Sequence, residues 1–200
     1  GFPSTLGSLQ NFRYPISGEV CLHRRVVREI RFPSDWGVET GMMSDVFRLC
    51  APHRVCQVDI AETYDHKHQD LSEKDPLGGL NKMACDVTLC LLRTISAGST
   101  IPVSIDAKKL VPNYLRVARE MMRFYAADAR INLLQYDYAL EDQTATMFAS
   151  AIDRAISIFS NTPCQPPGAP GWSEIEDRLS GTASAIAEAV RLDAGQVGRV

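Results

Sequence analysis

The chain has 200 residues, of which 45% are hydrophobic and 22% charged, and its formal net charge is −3. This balance is typical of a globular protein and argues against a disordered chain. The sequence contains no run of lysine and arginine, which argues against a nucleic-acid-binding protein. No apolar run approaches the roughly 20 residues of a membrane-spanning helix.

The N-terminal third of the chain predicts helices, loops and one strand. Residues 17–18 are expected to cap a helix that runs to about Ile30, with Glu19 in its first turn at the positive end of the helix dipole. A loop follows, and a second helix is predicted to begin near Val38. Residues 54–60, "RVCQVDI", alternate and are rich in β-branched side chains, which is typical of a β-strand.

The remainder of the chain predicts a series of helices. The first begins at residues 75–76, an aspartate and a proline typical of a helix start, and ends at Gly98. Others are expected at about 111–132, at about 141–159 and from Ser173 onward, with a proline-rich loop before the last. The apolar positions at helical spacing are Leu77, Leu80, Met83, Ala84, Val87, Leu91, Leu115, Ala118, Met121, Met122, Tyr125, Phe148, Ile152, Ile156, Ile175, Leu179, Ala183, Ile186 and Val190.

These elements predict an α+β fold that is mainly α-helical and has few strands. Residues 1–72 are mixed, with loops rich in charge and glycine, and are expected to carry the chemistry. Residues 73–200 are expected to form a C-terminal helical region that serves mainly as a scaffold.

The number and spacing of the cysteines indicate a protein of a reducing compartment. Six are present, none forms a Cys-x-x-Cys pair, and two lie inside an apolar helical pattern. This usage favours reduced thiols that act as small hydrophobic side chains over a disulfide or zinc framework. Because no signal peptide is visible either, we expect a cytoplasmic protein.

A cluster of charged and aromatic residues follows the predicted strand, in "DIAETYDHKHQD" at 59–70. His66 and His68 are two residues apart, so in an extended segment both would point to the same side. Imidazole is a common ligand of divalent metals, and neighbouring carboxylates share the ion or raise the basicity of the ring. The alternative is a solvated loop, but Tyr64 and the position after a strand favour a binding site.

A second candidate lies in "DWGVETG", before and within the second predicted helix. Trp36 would form an amphipathic wall, and Gly37 and Gly41 would allow a close approach of the backbone. Glu39 either caps the helix or points into a site, where it could orient a hydroxyl group or act as a base. The "SGE" turn at 17–19 could bind an anion, but structural capping is the better interpretation.

Three segments taken together resemble the second half of a GT-A glycosyltransferase. They are "YPISGEV", "FPSDWGVETGMMSDVF" and "CQVDIAETYDHKHQDLS", and they follow one another in the order and spacing found in glucosyl-3-phosphoglycerate synthases and their mannosyl-3-phosphoglycerate relatives. The resemblance is specific over about residues 10–75 and extends more weakly to about residue 175. It implies that residues 1–72 are the acceptor and metal side of the catalytic domain.

The resemblance also implies a reaction and a set of site residues. Such enzymes transfer a hexose from a nucleotide diphosphate sugar to the 2-hydroxyl of 3-phosphoglycerate, retain the anomeric configuration and use Mg²⁺ or Mn²⁺. His66 matches the histidine that binds the metal, and Glu39 matches the glutamate that faces the transferred sugar and the acceptor. His68 stands where relatives have an asparagine that holds the acceptor, and Tyr64 and Lys67 are expected to be its neighbours.

One motif of this family is missing from the sequence. The family's Asp-x-Asp metal motif and its nucleotide-binding half are not found in the 200 residues. The resemblance therefore implies a C-terminal fragment of a longer enzyme, one that is inactive alone and forms a homodimer, as its relatives tend to do.

Two other interpretations remain open. The chain could be a helical interaction or dimerisation module in which the histidine loop is merely solvated. It could also be a small metal-dependent hydrolase that uses His66 and His68 with Asp59 and Asp65, which requires a complete set of ligands within these residues.

Overall fold

The computed structural model describes residues 7, 9–12, 18–61, 69–99 and 103–197, and this part of the chain is mainly α-helical, as predicted. None of its helices is both long and apolar enough to cross a lipid bilayer. The α-helices in the described ranges are α1 (Arg24–Glu29), α2 (Val38–Leu49), α3 (Gly79–Ala97), α4 (Ala107–Ile131), α5 (Tyr138–Asn161), α6 (Trp172–Arg178) and α7 (Thr182–Val197).

The prediction of a β-strand at residues 54–60 is wrong. Pro52–Arg54 form a short 3-10 helix, and the backbone of 55–61 belongs to no helix or strand. Val58 and Ile60 are 69% and 68% exposed. The alternating pattern lacks the hydrogen-bonded neighbour that a strand requires, because the only β-bridge among the described residues joins Phe32 to Ala169.

The hydrophobic core lies between α3 and α5. On α3 the buried apolar side chains include Leu89 and Leu92, and on α5 they include Ile156 and Phe159. Cys85, Ala151 and Ala155 complete this cluster, and the two alanines are fully buried. Small side chains at these positions let the two helices approach closely, so that the larger ones fill the space on either side.

The third helix begins later than the sequence predicts. Its N-cap is Gly78, because the side chain of Asp75 accepts a hydrogen bond from the backbone of Leu77 and closes a turn ahead of the helix. Leu77 therefore lies outside the helix and is 80% exposed, although the sequence predicts it among the apolar residues of this helix. The predicted C-cap at Gly98 is confirmed.

The fourth helix packs on α5 along a narrower face than predicted. Met122 and Ala129 are its buried residues, whereas Met121 and Tyr125 remain 41% and 56% exposed. Asp106 caps its start, with a side-chain oxygen 3.0 Å from the backbone nitrogen of Lys108.

The last predicted helix is divided in two. Helix α6 ends at Arg178, and Gly181 has a φ of +88°, a left-handed conformation that glycine adopts without strain and that separates α6 from α7. Helix α6 then packs against α1, where Glu176 forms an ion pair with Arg28 and accepts a 2.8 Å hydrogen bond from Nε1 of Trp172. The apolar side chains that the sequence predicts on one face of the last helix are consequently exposed from Leu179 onward.

Candidate functional site

Glu39 lies in the first turn of α2, and its carboxylate accepts a hydrogen bond from the backbone N–H of Gly18. The contact is close enough that a Cβ atom added to Gly18 would lie 3.7 Å from Oε1 of Glu39. The "SGE" and "GVE" segments, about twenty positions apart in the sequence, therefore meet at this carboxylate. Sequence reasoning proposed Glu39 as a site residue but did not predict Gly18 as its hydrogen-bond partner.

The turn at Gly18 does not cap a helix, contrary to the prediction for residues 17–18. Helix α1 begins at Arg24, and its N-cap is His23, whose Nδ1 accepts a hydrogen bond of 3.3 Å from the backbone nitrogen of Arg25. Glu19 thus lies outside the first turn of α1. Gly18 has a φ of +84°, and a glycine before a glutamate in a polar turn was the signal in the sequence for such a conformation.

The environment of Glu39 raises the pKa of its carboxyl group above the usual value. Partial burial is the main cause, because it disfavours the charged form, and the nearby charge of Glu19 acts in the same direction. The hydrogen bond from Gly18 opposes this rise. A half-buried carboxyl group with a raised pKa is suited to hold or accept the proton of a hydroxyl group.

Two glycines hold the N-terminal end of α2 tightly against α3. A Cβ atom on Gly37 would lie 2.6 Å from the Cβ of Cys90, and one on Gly41 would lie 3.2 Å from Sγ of Cys90 and 2.6 Å from Cγ of Pro33. The thiol of Cys90 donates a hydrogen bond to the carbonyl oxygen of Gly37 at 3.4 Å. The close approach expected of these glycines is thus confirmed, and its structural role is helix packing behind Glu39.

The thiol of Cys90 is not a candidate nucleophile. Burial raises its pKa to about 11, so the neutral form predominates near pH 7. Asp86, one turn earlier on α3, accepts a 3.4 Å hydrogen bond from the backbone nitrogen of Trp36. Trp36 is 40% exposed beside this turn, and its role as the wall of a site stays a prediction.

The predicted residues of the histidine loop, Tyr64, His66, Lys67 and His68, lie outside the described residues. The chain that follows them is fixed to the start of α3. The backbone nitrogen of Leu80 donates to the carbonyl of Asp70 at 2.9 Å, and that of Asn81 donates to Leu71 at 3.2 Å.

A buried asparagine strengthens this attachment. Asn81 is 3% exposed, and its Nδ2 donates to the carbonyl oxygens of Ser72 at 3.2 Å and Glu73 at 3.4 Å. Its Oδ1 accepts a hydrogen bond from Arg154 of α5. Sequence reasoning missed Asn81, whose signal is a polar residue on the buried side of an apolar helix.

The two candidate parts of the site are therefore attached to the same helix. The end of the histidine loop is held at Asn81, and the turn before Glu39 is held at Asp86 and Cys90. At 1.5 Å per residue, these attachments lie roughly 8–14 Å apart along α3.

In the described part of the chain, no group of three or more histidine, cysteine, aspartate or glutamate side chains could hold a metal ion. Asp59 is described and exposed, whereas the other expected ligands of a hydrolase fall in the undescribed loop. The sequence of that loop contains imidazole and carboxylate side chains, which are ligands that suit a divalent cation. The metal site at His66 stays a prediction.

Comparison with known proteins supports the resemblance seen in the three motifs. The chain is 33% identical to a glucosyl-3-phosphoglycerate synthase of Persephonella marina over 185 residues, which are 92% of this chain and 46% of that relative. It is 32% identical to a glucosyl-3-phosphoglycerate synthase of Methanococcoides burtonii over 153 residues, which are 76% of this chain and 37% of that relative. The chain thus spans less than half the length of these curated relatives. No protein-family model and no solved structure matches it.

The predicted resemblance to glucosyl-3-phosphoglycerate synthases is confirmed by these two relatives. It covers the turn at Gly18, Glu39, the histidine loop and most of the helical region, since the longer match takes in nearly the whole chain.

Proposed function

Since the chain is similar to glucosyl-3-phosphoglycerate synthases along most of its length, we propose that it is part of a glycosyltransferase of the retaining GT-A type. The reaction is the transfer of a hexose from a nucleotide diphosphate sugar to 3-phosphoglycerate or a similar small hydroxy acid. The observation that carries this proposal is the contact between Gly18 and Glu39, because it joins two of the three motifs at one half-buried carboxylate.

Glu39 is the residue we assign to the reacting groups. Its raised pKa and its position in the first turn of α2 suit a carboxylate that orients the acceptor hydroxyl or accepts its proton. Glu19 nearby adds negative charge, which favours a substrate that presents hydroxyl groups at this point over one that presents a phosphate.

The histidine loop supplies the metal and acceptor side of the proposed site. His66 binds Mg²⁺ or Mn²⁺, and His68, Tyr64 and Lys67 contact the phosphorylated acceptor. A bound divalent cation neutralises the charge of the leaving diphosphate. The attachment of Leu71–Glu73 to Asn81 supports this assignment, because it fixes the end of the loop on the helix that also holds the Glu39 turn.

The nucleotide-binding side of the enzyme is not assigned to this chain. The exposed segment at 55–61 supports this view, because Val58 and Ile60 are spaced as on one face of a strand and no sheet lies beside them among the described residues. We therefore propose that the chain alone transfers no sugar. Its cysteines are all free, which supports a reducing, cytoplasmic location.

The decisive experiment replaces Glu39 by glutamine in a protein that contains this chain together with the remaining length of its relatives. Glutamine can still accept the hydrogen bond from Gly18 but cannot take up a proton, so we expect kcat to fall about a hundredfold while the Kd of the donor sugar stays unchanged. Glu188→Gln, on exposed α7, is the matched control and should leave both unchanged. An effect on donor binding alone would contradict the role of Glu39.

The metal assignment has its own test in the same protein. His66→Ala should lower the rate about a hundredfold or more and raise the Mn²⁺ concentration needed for half-maximal activity, because one ligand of the cation is lost. His53→Ala, in the exposed 3-10 helix, is the control. An unchanged metal requirement in His66→Ala would remove the assignment.

A helical interaction module is the second candidate, and it is favoured by the large apolar surface of α4 that remains exposed. The two candidates differ in a simple assay. A protein of the relatives' full length that hydrolyses or transfers no sugar from any nucleotide diphosphate sugar, with or without Mg²⁺, would favour the interaction module.

A further inference from the structure

A cleft of about 340 Å³ lies between α5 and the turn that precedes α3. Pockets that bind small molecules have volumes of roughly 300–1,000 Å³, so this cleft is large enough for a small ligand. We call it the α5 cleft. One wall is a face of α5 whose residues are three or four positions apart, and the other wall is the turn and the start of α3. The side chains that define the two walls are Gln143, Met147, Ser150 and Arg154 on α5, and Glu73 and Asn81 opposite them.

The α5 cleft has an apolar part and a polar wall. Met147 is 8% exposed and forms the deep apolar part with Pro76 beside it. Thr146 and Ser150 are exposed on the wall, and each donates its hydroxyl proton to a carbonyl oxygen one turn earlier on α5, at 2.8 Å and 3.2 Å. The lone pairs of these two hydroxyl oxygens therefore stay available to accept hydrogen bonds from a ligand.

The end of the cleft near Glu73 is an acceptor of hydrogen bonds. Oε2 of Glu73 accepts a 2.7 Å hydrogen bond from Nε2 of Gln143, which joins the turn to α5. A carboxylate has about four lone-pair positions, so Glu73 can accept further hydrogen bonds from hydroxyl groups in the cleft.

The other end of the cleft carries a positive charge without a carboxylate partner. Arg154 is partly buried, and its Nη2 donates to Oδ1 of Asn81 and, at 3.4 Å, to the carbonyl oxygen of the same residue. No carboxylate among the described residues forms an ion pair with it. Its neighbour Cys85 does not neutralise it, because burial raises the pKa of that thiol. A guanidinium group in this state is suited to bind a carboxylate from a ligand.

The charges of the lining select the charge of the ligand. Arg154 and Glu73 are the charged side chains among the described residues that line the cleft, and their formal charges cancel. A ligand with a single negative charge can therefore pair with Arg154, whereas a phosphate dianion would bring a second negative charge towards Glu73.

We propose that the α5 cleft binds a small organic acid that carries several hydroxyl groups and no phosphate. Its carboxylate pairs with Arg154, and its hydroxyl groups form hydrogen bonds with Ser150, Thr146 and Glu73. Ser150 and Thr146 precede Arg154 by about one and two helical turns, or roughly 6 and 12 Å along α5. An extended chain of hydroxylated carbons can therefore contact both hydroxyl groups.

The α5 cleft is separate from the candidate site around Glu39. Asn81 lines the cleft, whereas Cys90, which contacts the Glu39 turn, follows it by about two and a half turns of α3. The two side chains therefore leave opposite sides of the helix. The proposal consequently does not depend on sugar transfer, and its test measures binding rather than turnover.

The test is a titration with D-gluconate of a protein that contains this chain together with the remaining length of its relatives, followed by ligand-detected NMR. D-gluconate supplies one carboxylate and a row of hydroxyl groups, and we expect a Kd on the order of 1 mM. D-glucitol, which lacks the carboxylate, and inorganic phosphate, which lacks the hydroxylated chain, should both bind at least about tenfold more weakly.

Ser150→Phe is the variant that blocks the cleft. Ser150 is exposed, so a phenyl ring at this position fills the cleft without entering the core, and gluconate binding should be lost. Ser157→Phe is the matched control, because it introduces the same ring at an exposed serine roughly 10 Å farther along α5 and outside the lining. It should leave the Kd unchanged, and circular dichroism should show that both variants are folded.

Two changes of charge test how the acid is recognised. Arg154→Met should weaken gluconate binding at least about tenfold, because the carboxylate loses its partner, and Arg154→Lys should retain part of the affinity. Glu73→Gln keeps an oxygen that accepts from Gln143 but removes the negative charge. Inorganic phosphate should therefore bind this variant several-fold more tightly than it binds the wild type.

Three results would overturn the proposal. The first is the absence of saturable gluconate binding to the wild type. The second is binding that Ser150→Phe leaves unchanged, because the acid would then lie elsewhere. The third is tighter binding of phosphate than of gluconate by the wild type. Each of these results leaves the Glu39→Gln assay of sugar transfer unaffected, so the two proposals fail independently.

Discussion

The α3–α5 core and the turn around Glu39 are both closely packed, but by opposite means. In the core, fully buried alanines lie beside large apolar side chains such as Phe159, which is 2% exposed. Around Glu39 the contacts are made by glycines without side chains and by hydrogen bonds to backbone groups. The core excludes water, whereas the turn keeps a carboxylate half exposed.

This difference shows what each region contributes. Burial of apolar area in the core is worth about 25 cal/mol per Å² and supplies most of the stability of the helical region. The turn contributes little apolar burial, and the desolvation of Glu39 works against folding. The core thus offsets the free-energy cost of desolvating Glu39 in the turn.

The largest effect is expected from a cavity in the core. Phe159→Ala should lower the free energy of unfolding by about 3–5 kcal/mol, because the side chain is almost completely buried between α3 and α5. Urea unfolding followed by circular dichroism measures this change. Leu179→Ala, at a residue 64% exposed, is the control and should cost far less. Equal losses at the two positions would remove the distinction between core and surface.

A smaller effect is expected where the turn meets α3. Gly37→Ala brings a methyl group to within 2.6 Å of the Cβ of Cys90, so α2 must shift. We expect a loss of about 1–3 kcal/mol in the free energy of unfolding, together with a lower kcat in the proposed longer transferase, because Glu39 moves with its helix. Gly7→Ala, where an added Cβ meets nothing within 4 Å, is the control. A variant of normal stability and activity would show that this close packing is dispensable.

The smallest effect is the pH dependence contributed by Glu39. Its pKa in the folded state is raised above the ordinary 4.5, so the folded protein retains this proton at a pH where the unfolded chain has lost it. Stability therefore falls as the pH rises from about the unfolded value through the raised folded value, and the cost persists above it. Glu39→Gln should remove this decrease and leave the variant at least as stable as the wild type at pH 7.5.

Urea unfolding at pH 4 and pH 7.5 measures the effect. Glu188→Gln again serves as the control, because its carboxyl group is exposed. A wild-type protein that gains stability relative to Glu39→Gln between the two pH values would show that the carboxylate is favoured by folding, contrary to the burial argument.

The sequence predicted the helices well because helix formation depends on local spacing. The start of α2 near Val38, the end of α3 at Gly98 and the approximate extent of α5 follow from local signals, whereas the start of α3 was predicted too early. It failed where the outcome depended on a distant partner. Residues 54–60 have the pattern of a strand, but pairing requires a neighbour that the described residues do not provide.

The candidate site could be predicted in part for the same reason. Glu39 was proposed as a site residue from its motif, which stays a prediction, and its helix begins where expected. Gly18 and Asn81 were missed because their roles arise from contacts between segments far apart in the sequence. The break at Gly181 was missed because a glycine inside an apolar pattern does not by itself show that the backbone will turn there.

One helix, α3, serves two purposes at once. Its buried side contacts α5, and its residues Asn81, Asp86 and Cys90 carry the attachments of the histidine loop and the Glu39 turn. A mutation that repacks Leu89 or Leu92 and tilts this helix would displace both attachments together. A change in the scaffold therefore shifts the Glu39 turn and residues 71–73 together, so a substitution in the core can alter two distant surface segments at once.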